Sequence, residues 1–166
     1  MAKSNHKGKK EVPETVIRFI KSEECFIVGR MWRDLLEETK AFPIQITEKI
    51  VETFSVQLLT KALGPNSDVF ILESDYRPIG FVMVELQVYP YTSLLTGYCE
   101  NIYVHPKFRA FLLGKKLIDR AYQWMKERGV NFISFDTVYD PKLIKRWNLL
   151  GYKTKKLSFQ KEIHYG

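Results

Sequence analysis

The hydrophobic period of this chain changes along its length, and the order of those changes restricts the fold more than any single motif does. Between about Ser22 and Lys40, Phe26, Val28, Met31, Trp32, Leu35 and Leu36 recur at helical spacing. Pro43 breaks that run. Thr47 and Glu48 then introduce a second helical run, Ile50, Val51, Phe54, Leu58, Leu59 and Ala62, which stops at Gly64-Pro65-Asn66-Ser67. The period next shortens to two. Asp68–Glu73 and Ile79–Tyr89 read as strands joined by a turn, with Val82, Val84, Leu86 and Val88 alternating with Met83, Glu85 and Gln87.

After a loop over Pro90–Leu95, Tyr98–Val104 is expected as a strand. Plain alternation puts Tyr98, Glu100, Ile102 and Val104 on one face and Cys99, Asn101 and Tyr103 on the other. Helical spacing returns with Leu113, Leu117, Ala121 and Met125, from about Leu112 to Arg128, closed by Gly129. A strand over Phe132–Val138, a short helix over Pro141–Leu150 and a last strand over Tyr152–Ile163 complete the chain, and Val16–Ile20 supplies a first strand. The order β-α-α-β-β-β-α-β-α-β predicts one mixed α/β (α+β) domain over residues 13–166, with helices flanking a mixed central sheet. Residues 1–12 have no apolar periodicity and read as a basic, disordered tail.

Charge and composition exclude several classes. No apolar run approaches the ~18 residues of a membrane span, and the N-terminus has no apolar signal region. Cys25 and Cys99 form no metal or redox spacing and no His/Cys/Asp cluster appears, so no metal site is expected and a cytoplasmic protein with two free thiols is. The net charge of +7 is concentrated in Lys3, Lys7, Lys9 and Lys10 and in the C-terminal third. A nucleic-acid partner therefore stays open but is not favoured, because no helix carries a dense basic face. Local positive potential for an anionic ligand explains the charge more simply.

Chemistry concentrates where the 98–104 strand turns at Pro106 and enters the next helix. A helix start presents unpaired N–H groups and positive dipole, which suit a phosphate. Arg109 and Lys115 add positive charge, while Ala110 and Gly114 keep the approach narrow.

The segment from Glu100-Asn101-Ile102-Tyr103-Val104-His105-Pro106 through Arg109-Ala110-Phe111-Leu112-Leu113-Gly114 resembles the signature of the GNAT acyltransferases, V-x-P followed by R/Q-x-x-G-x-G/A at a helix start. The element order resembles that fold, and Asp140–Tyr152 resembles a later, weaker family stretch. The resemblance covers about residues 14–163. It implies an N-acetyltransferase that takes acetyl-CoA as acyl donor and an amine as acceptor, with a homodimer left open; the alternative is a catalytically degenerate domain of this type that binds coenzyme A, or a nucleic-acid- or ribosome-associated module. It implies further that Arg109, Ala110, Phe111, Leu112, Leu113, Gly114 and Lys115 form the diphosphate loop. The backbone of Ile102, Tyr103 and Val104 would take the pantetheine arm, and Asp140 stands where the family often has Asn.

Glu100 is the expected general base, with Glu85 as runner-up. Tyr103, Tyr139 and Tyr152 are the candidate proton donors. His105 reads as structural. Two departures stand out: Leu112 replaces the first glycine of the signature, and Trp147 stands where the family has a tyrosine. A glycine restored at 112 is expected to bind the donor as well or better, at a cost in helix stability and, for a buried leucine, in packing.

Overall fold

Val69-Phe70-Ile71-Leu72 and Phe81-Val82-Met83-Val84 are continuous apolar runs in which every side chain is buried. A strand carries such a run only when both of its faces are covered. The computed structural model describes residues 14–40, 42–89, 92–136 and 141–154. They fall into two units, divided after Asp136.

The first unit holds β1 (Thr15–Phe19), α1 (Cys25–Thr39), α2 (Glu48–Leu63), β2 (Ser67–Ser74), β3 (Arg77–Val88), β4 (Leu95–Val104), α3 (Leu113–Glu127) and β5 (Phe132–Phe135). The five strands lie side by side in sequence order. β1 to β4 are antiparallel neighbours, and β5 joins β4 in parallel. A parallel neighbour requires a crossover, which α3 supplies. β2 turns into β3 through Asp75 and Tyr76, both at positive φ, the two-residue geometry that matches strand twist.

Two apolar clusters cover the two faces. Leu113, Leu117, Ala121, Trp124 and Met125 of α3 pack on Phe70, Leu72, Val82, Val84, Cys99 and Val104. Cys25, Val28 and Met31 of α1 and Phe54 and Leu58 of α2 pack on Val69, Ile71, Phe81, Met83 and Tyr103. Gly97 lets α3 approach closely, since a Cβ there would lie 2.6 Å from Met125 Sδ.

The register corrects the expected faces of β4. Met83 lies opposite Asn101 but Val84 lies opposite Cys99, so Glu100 is the extra residue of a β-bulge. Cys99 therefore shares the α3 face with Ile102 and Val104. The bulge separates Glu100 from those two residues, with which simple alternation groups it. β4 also starts earlier than its hydrophobic pattern suggests, at Leu95.

The second unit contains α4 (Pro141–Leu149). It ends with Gly151 at φ 89 and the Tyr152 N–H bonded to the Trp147 carbonyl, a left-handed helix stop. Trp147 and Tyr152 meet edge to face at 5.3 Å. The expected tail at 1–12 lies outside the described residues; of the expected strand over Tyr152–Ile163, residues 152–154 form no strand, and its remainder also lies outside them.

Candidate functional site

β4 has one outer neighbour and only for part of its length. β5 pairs with Thr96–Cys99, and among the described residues no strand pairs with the outer edge of β4 from Glu100 to Val104. On the other edge the His105 N–H bonds the Ile79 carbonyl of β3 at 2.8 Å. Backbone groups alternate in direction along a strand, so the Val104 N–H and C=O point off the outer edge. Ile102 and Tyr103 belong to the same stretch. The Tyr103 side chain is buried among α1 and α2 residues, and burial pushes its hydroxyl pKa up, which makes it a poor proton donor.

β4 leads through a short 3₁₀ helix over Pro106–Phe111 into α3. His105 opens the turn, with Nδ1 accepting from the Lys107 N–H at 3.4 Å, and the ring meets Phe108 edge-on. It is structural, as its sequence context suggests. Ala110 and Phe111 close the turn. Leu112 then adopts φ 55 and ψ 23, and α3 begins at Leu113. This left-handed position explains the glycine slot of the signature: only glycine occupies it without Cβ strain. The Leu112 side chain is 74% exposed. It is not the packed leucine considered above, so its removal forfeits no core contact. Leu113 is fully buried in the α3 cluster, so only its backbone can face a ligand.

The helix start leaves the Leu113 and Gly114 N–H groups without carbonyl partners in the helix. A Cβ on Gly114 would meet nothing within 4 Å. The protein itself therefore has no need of glycine there, whereas a phosphate pressed against the loop does. This open cradle, with the free edge of β4, fits the diphosphate and arm of coenzyme A.

Arg109 is placed differently from a free phosphate ligand. Its Nε donates to the Val104 carbonyl at 2.7 Å, and its terminal nitrogens grip both Glu38 oxygens on α1, at 2.7 Å for Nη2–Oε2. The guanidinium also lies over the Tyr103 ring at 5.5 Å. Arg109 holds Glu38 below the usual carboxylate range. Lys115 is exposed and paired with Asp119 one turn on.

Glu100 sits at the bulge and is partly buried. Lys61, reaching from α2, bonds Glu100 Oε1 at 2.9 Å and also bonds Glu85 of β3. Burial, with Glu85 adding repulsion, pushes Glu100 above the ordinary glutamate pKa, although Lys61 opposes both. At Glu85 burial is the largest influence and acts upward, but the Lys61 bond and charge, with the Glu100 and Gln87 contacts, together outweigh it and hold the group below. Both expected carboxylates are thus brought together, and their acidities are driven apart. Lys61 went unnoticed because it is 39 residues from Glu100 on a helix whose pattern advertises only its apolar stripe. Tyr98, opposite Glu85 in the register, was likewise not singled out beyond its strand. Asp140 and Tyr139 lie outside the described residues, and Trp147 and Tyr152 belong to the second unit. No group of His, Cys, Asp or Glu among the described residues could hold a metal ion, and no described helix is long and apolar enough to cross a membrane.

A family model described as the acetyltransferase (GNAT) family matches residues 30–152. No curated protein matches the sequence. Solved structures do. A transcriptional regulator from Bacillus halodurans has 17% identity and a TM-score of 0.75, covering 90% of this chain and 100% of its own. A GCN5-related N-acetyltransferase from Ralstonia eutropha has 18% identity and a TM-score of 0.72, covering 90% and 99%. Glucosamine-6-phosphate N-acetyltransferase from Arabidopsis thaliana has 15% identity and a TM-score of 0.67, covering 91% and 99%. At these identities the structural likeness speaks for the fold: a mostly antiparallel five-stranded sheet flanked by helices.

Proposed function

Because the chain belongs to the acetyltransferase (GNAT) family, we propose that it transfers an acetyl group from acetyl-CoA directly to a primary amine in a ternary complex. Residues 13–166 act as one acyltransferase domain in this reading. The observation that carries it is the junction of β4 and α3: a strand edge left unpaired from Glu100 to Val104 runs into a helix start whose Gly114 faces open space.

The diphosphate is held by the backbone of Ala110 to Gly114, with Arg109 bracing the turn and Lys115 adding positive charge near the helix start. The edge of Ile102, Tyr103 and Val104 receives the pantetheine arm, and the outward Val104 N–H is the donor for a developing oxyanion. Asp140, which the family resemblance assigns to the donor site, follows β5 in the sequence and lies outside the described residues. Bound acetyl-CoA supplies an acyl carbon activated as a thioester. Glu100 takes the proton from the acceptor ammonium, so that the amine presents a lone pair. A raised pKa suits that task, because a base near the working pH both accepts and releases its proton readily. Buried Tyr103 is not the group that reprotonates the thiolate.

Calorimetric titration with acetyl-CoA, followed by thiol-release assays over a panel of primary amines, tests this reading. One-site binding and amine-dependent thiol release are expected. Lack of acetyl-CoA binding overturns it.

A further inference from the structure

Lys61 lies outside the signature, outside strand β4 and outside every residue assigned above, yet it makes the only described ion pairs to both Glu85 and Glu100. Its side chain is 29% exposed, and those of its two partners are exposed to the same small extent. A lysine so shielded, with three donors on one nitrogen, bonds two carboxylates at once and still has one N–H to spare. The two carboxyl groups meet at one ammonium, and each acts on the other's titration. Like charges so close do not both ionise freely. Without a cation between them, one proton would be shared and neither group would be a defined acceptor. The bulge at Glu100 brings this about: the extra residue turns β4 so that its carboxylate joins Glu85 and meets α2.

We infer that Lys61 is a positioning residue for the transfer reaction: its ammonium bridges Glu85 and Glu100, neutralises Glu85, and leaves Glu100 as the single proton acceptor turned toward the acceptor amine. This rests on the reading of Glu100 as the base. The groups around the pair agree with it. Among the described residues, from α2 only Lys61 reaches the carboxylates, from β3 come Glu85 and the neutral Gln87, and from β4 comes Tyr98 opposite Glu85. Asp136, beyond β5, acts on Tyr98 and Cys99. Lys61 is therefore the one described cation that acts on both carboxyls; it draws both downward, Glu85 ends low, and burial with the Glu85 charge keeps Glu100 high. It touches neither donor nor acceptor in this role.

The test compares Lys61→Met and Lys61→Arg with the native protein. One readout needs no acceptor: site-resolved NMR titration of the Glu85 and Glu100 side-chain carboxyls. The cation lowers both groups, so in Lys61→Met both titrations move upward, by about one pH unit or more. Lys61→Arg returns both titrations toward their native positions. The second readout is the pH profile of kcat/KM with whichever panel amine turns over fastest. In Lys61→Met its acidic limb moves to higher pH and the value at pH 7 falls about ten-fold or more. Lys61→Arg recovers most of it. A merely structural lysine would lower stability and leave the limb in place. Superimposable carboxyl titrations in the Met variant overturn the inference, and so does an unmoved limb. Near-normal turnover of Glu100→Gln overturns the base reading instead, which keeps the two failures apart. If Lys61→Met does not fold, unshifted carboxyl titrations in Lys61→Gln overturn the inference in the same way.

Discussion

On the α3 side, the β3–β4 pair presents Val82, Val84, Cys99, Ile102 and Val104 to a helix face of Leu113, Leu117, Ala121 and Met125. On the α1–α2 side, the same two strands begin with Phe81, Met83 and Tyr103 and end with Glu85 and Glu100 against Lys61. On β3 and β4 this face is apolar throughout, and Asp68 on β2, its one buried-side carboxylate among the described residues, is bonded by Trp124 of α3. The other passes from apolar to charged within two residues, at the bulge. The backbone ladder is common to both faces, so the difference lies in side chains and in the bulge that turns Glu100 to the charged side. A sheet can place a costly group, a partly buried carboxylate, where an apolar layer on its opposite face already secures the strands.

The comparison is broken most strongly from its apolar side. Leu117 is fully buried, and Leu117→Ala should lower unfolding free energy by about 2–5 kcal/mol in chemical denaturation. Donor affinity per folded molecule should be unchanged. A large loss of affinity would mean that the two faces are not separable.

Next in size is the charged side. Glu100→Gln should slow acetyl transfer by about 10²-fold while acetyl-CoA titrates normally. Below its pKa Glu100 is protonated and accepts nothing, so the native rate should fall as pH falls. Because that pKa is raised, the fall should begin above the range of an ordinary glutamate. It should vanish in the Gln variant, and an acidic limb that survives there would pass the role to Glu85.

A smaller effect separates binding from folding at the helix start. A Cβ at Gly114 has room and improves helix propensity by up to about 1 kcal/mol. Gly114→Ala should therefore hold or raise stability. It should also weaken acetyl-CoA by about 1–3 kcal/mol, as read by calorimetry. Equal affinity would place the diphosphate elsewhere.

The smallest change reverses the sequence expectation. Leu112 is exposed and left-handed, so Leu112→Gly should stabilise the fold by about 1 kcal/mol and bind the donor as well or better. A lower melting temperature would show that the leucine does pack.

What was legible in the sequence follows what is local. The period changes fix the helices and strands, since each is a property of neighbouring residues. The turn from Val104 to Gly114 was readable for the same reason. The bulge was not: seven residues of plain alternation look alike whether or not one is skipped, and only the partner strand decides. Lys61 and Glu38 were invisible because each meets its partner through tertiary contact alone. At Leu112 the sequence marked the right position but could not tell exposure from burial or foresee the left-handed backbone, and these set the stability expected of the substitution.

The Arg109–Glu38 clasp joins the proposed donor loop to α1, on the side where an acceptor would be sought. A donor phosphate that drew Arg109 away would leave Glu38 an open anion facing cations. A cationic acceptor that took Glu38 would release Arg109 toward phosphate. Reciprocity then requires each ligand to change the other's affinity by the same factor. A single clasp of this kind lets two substrates sense each other across the protein without either moving a strand.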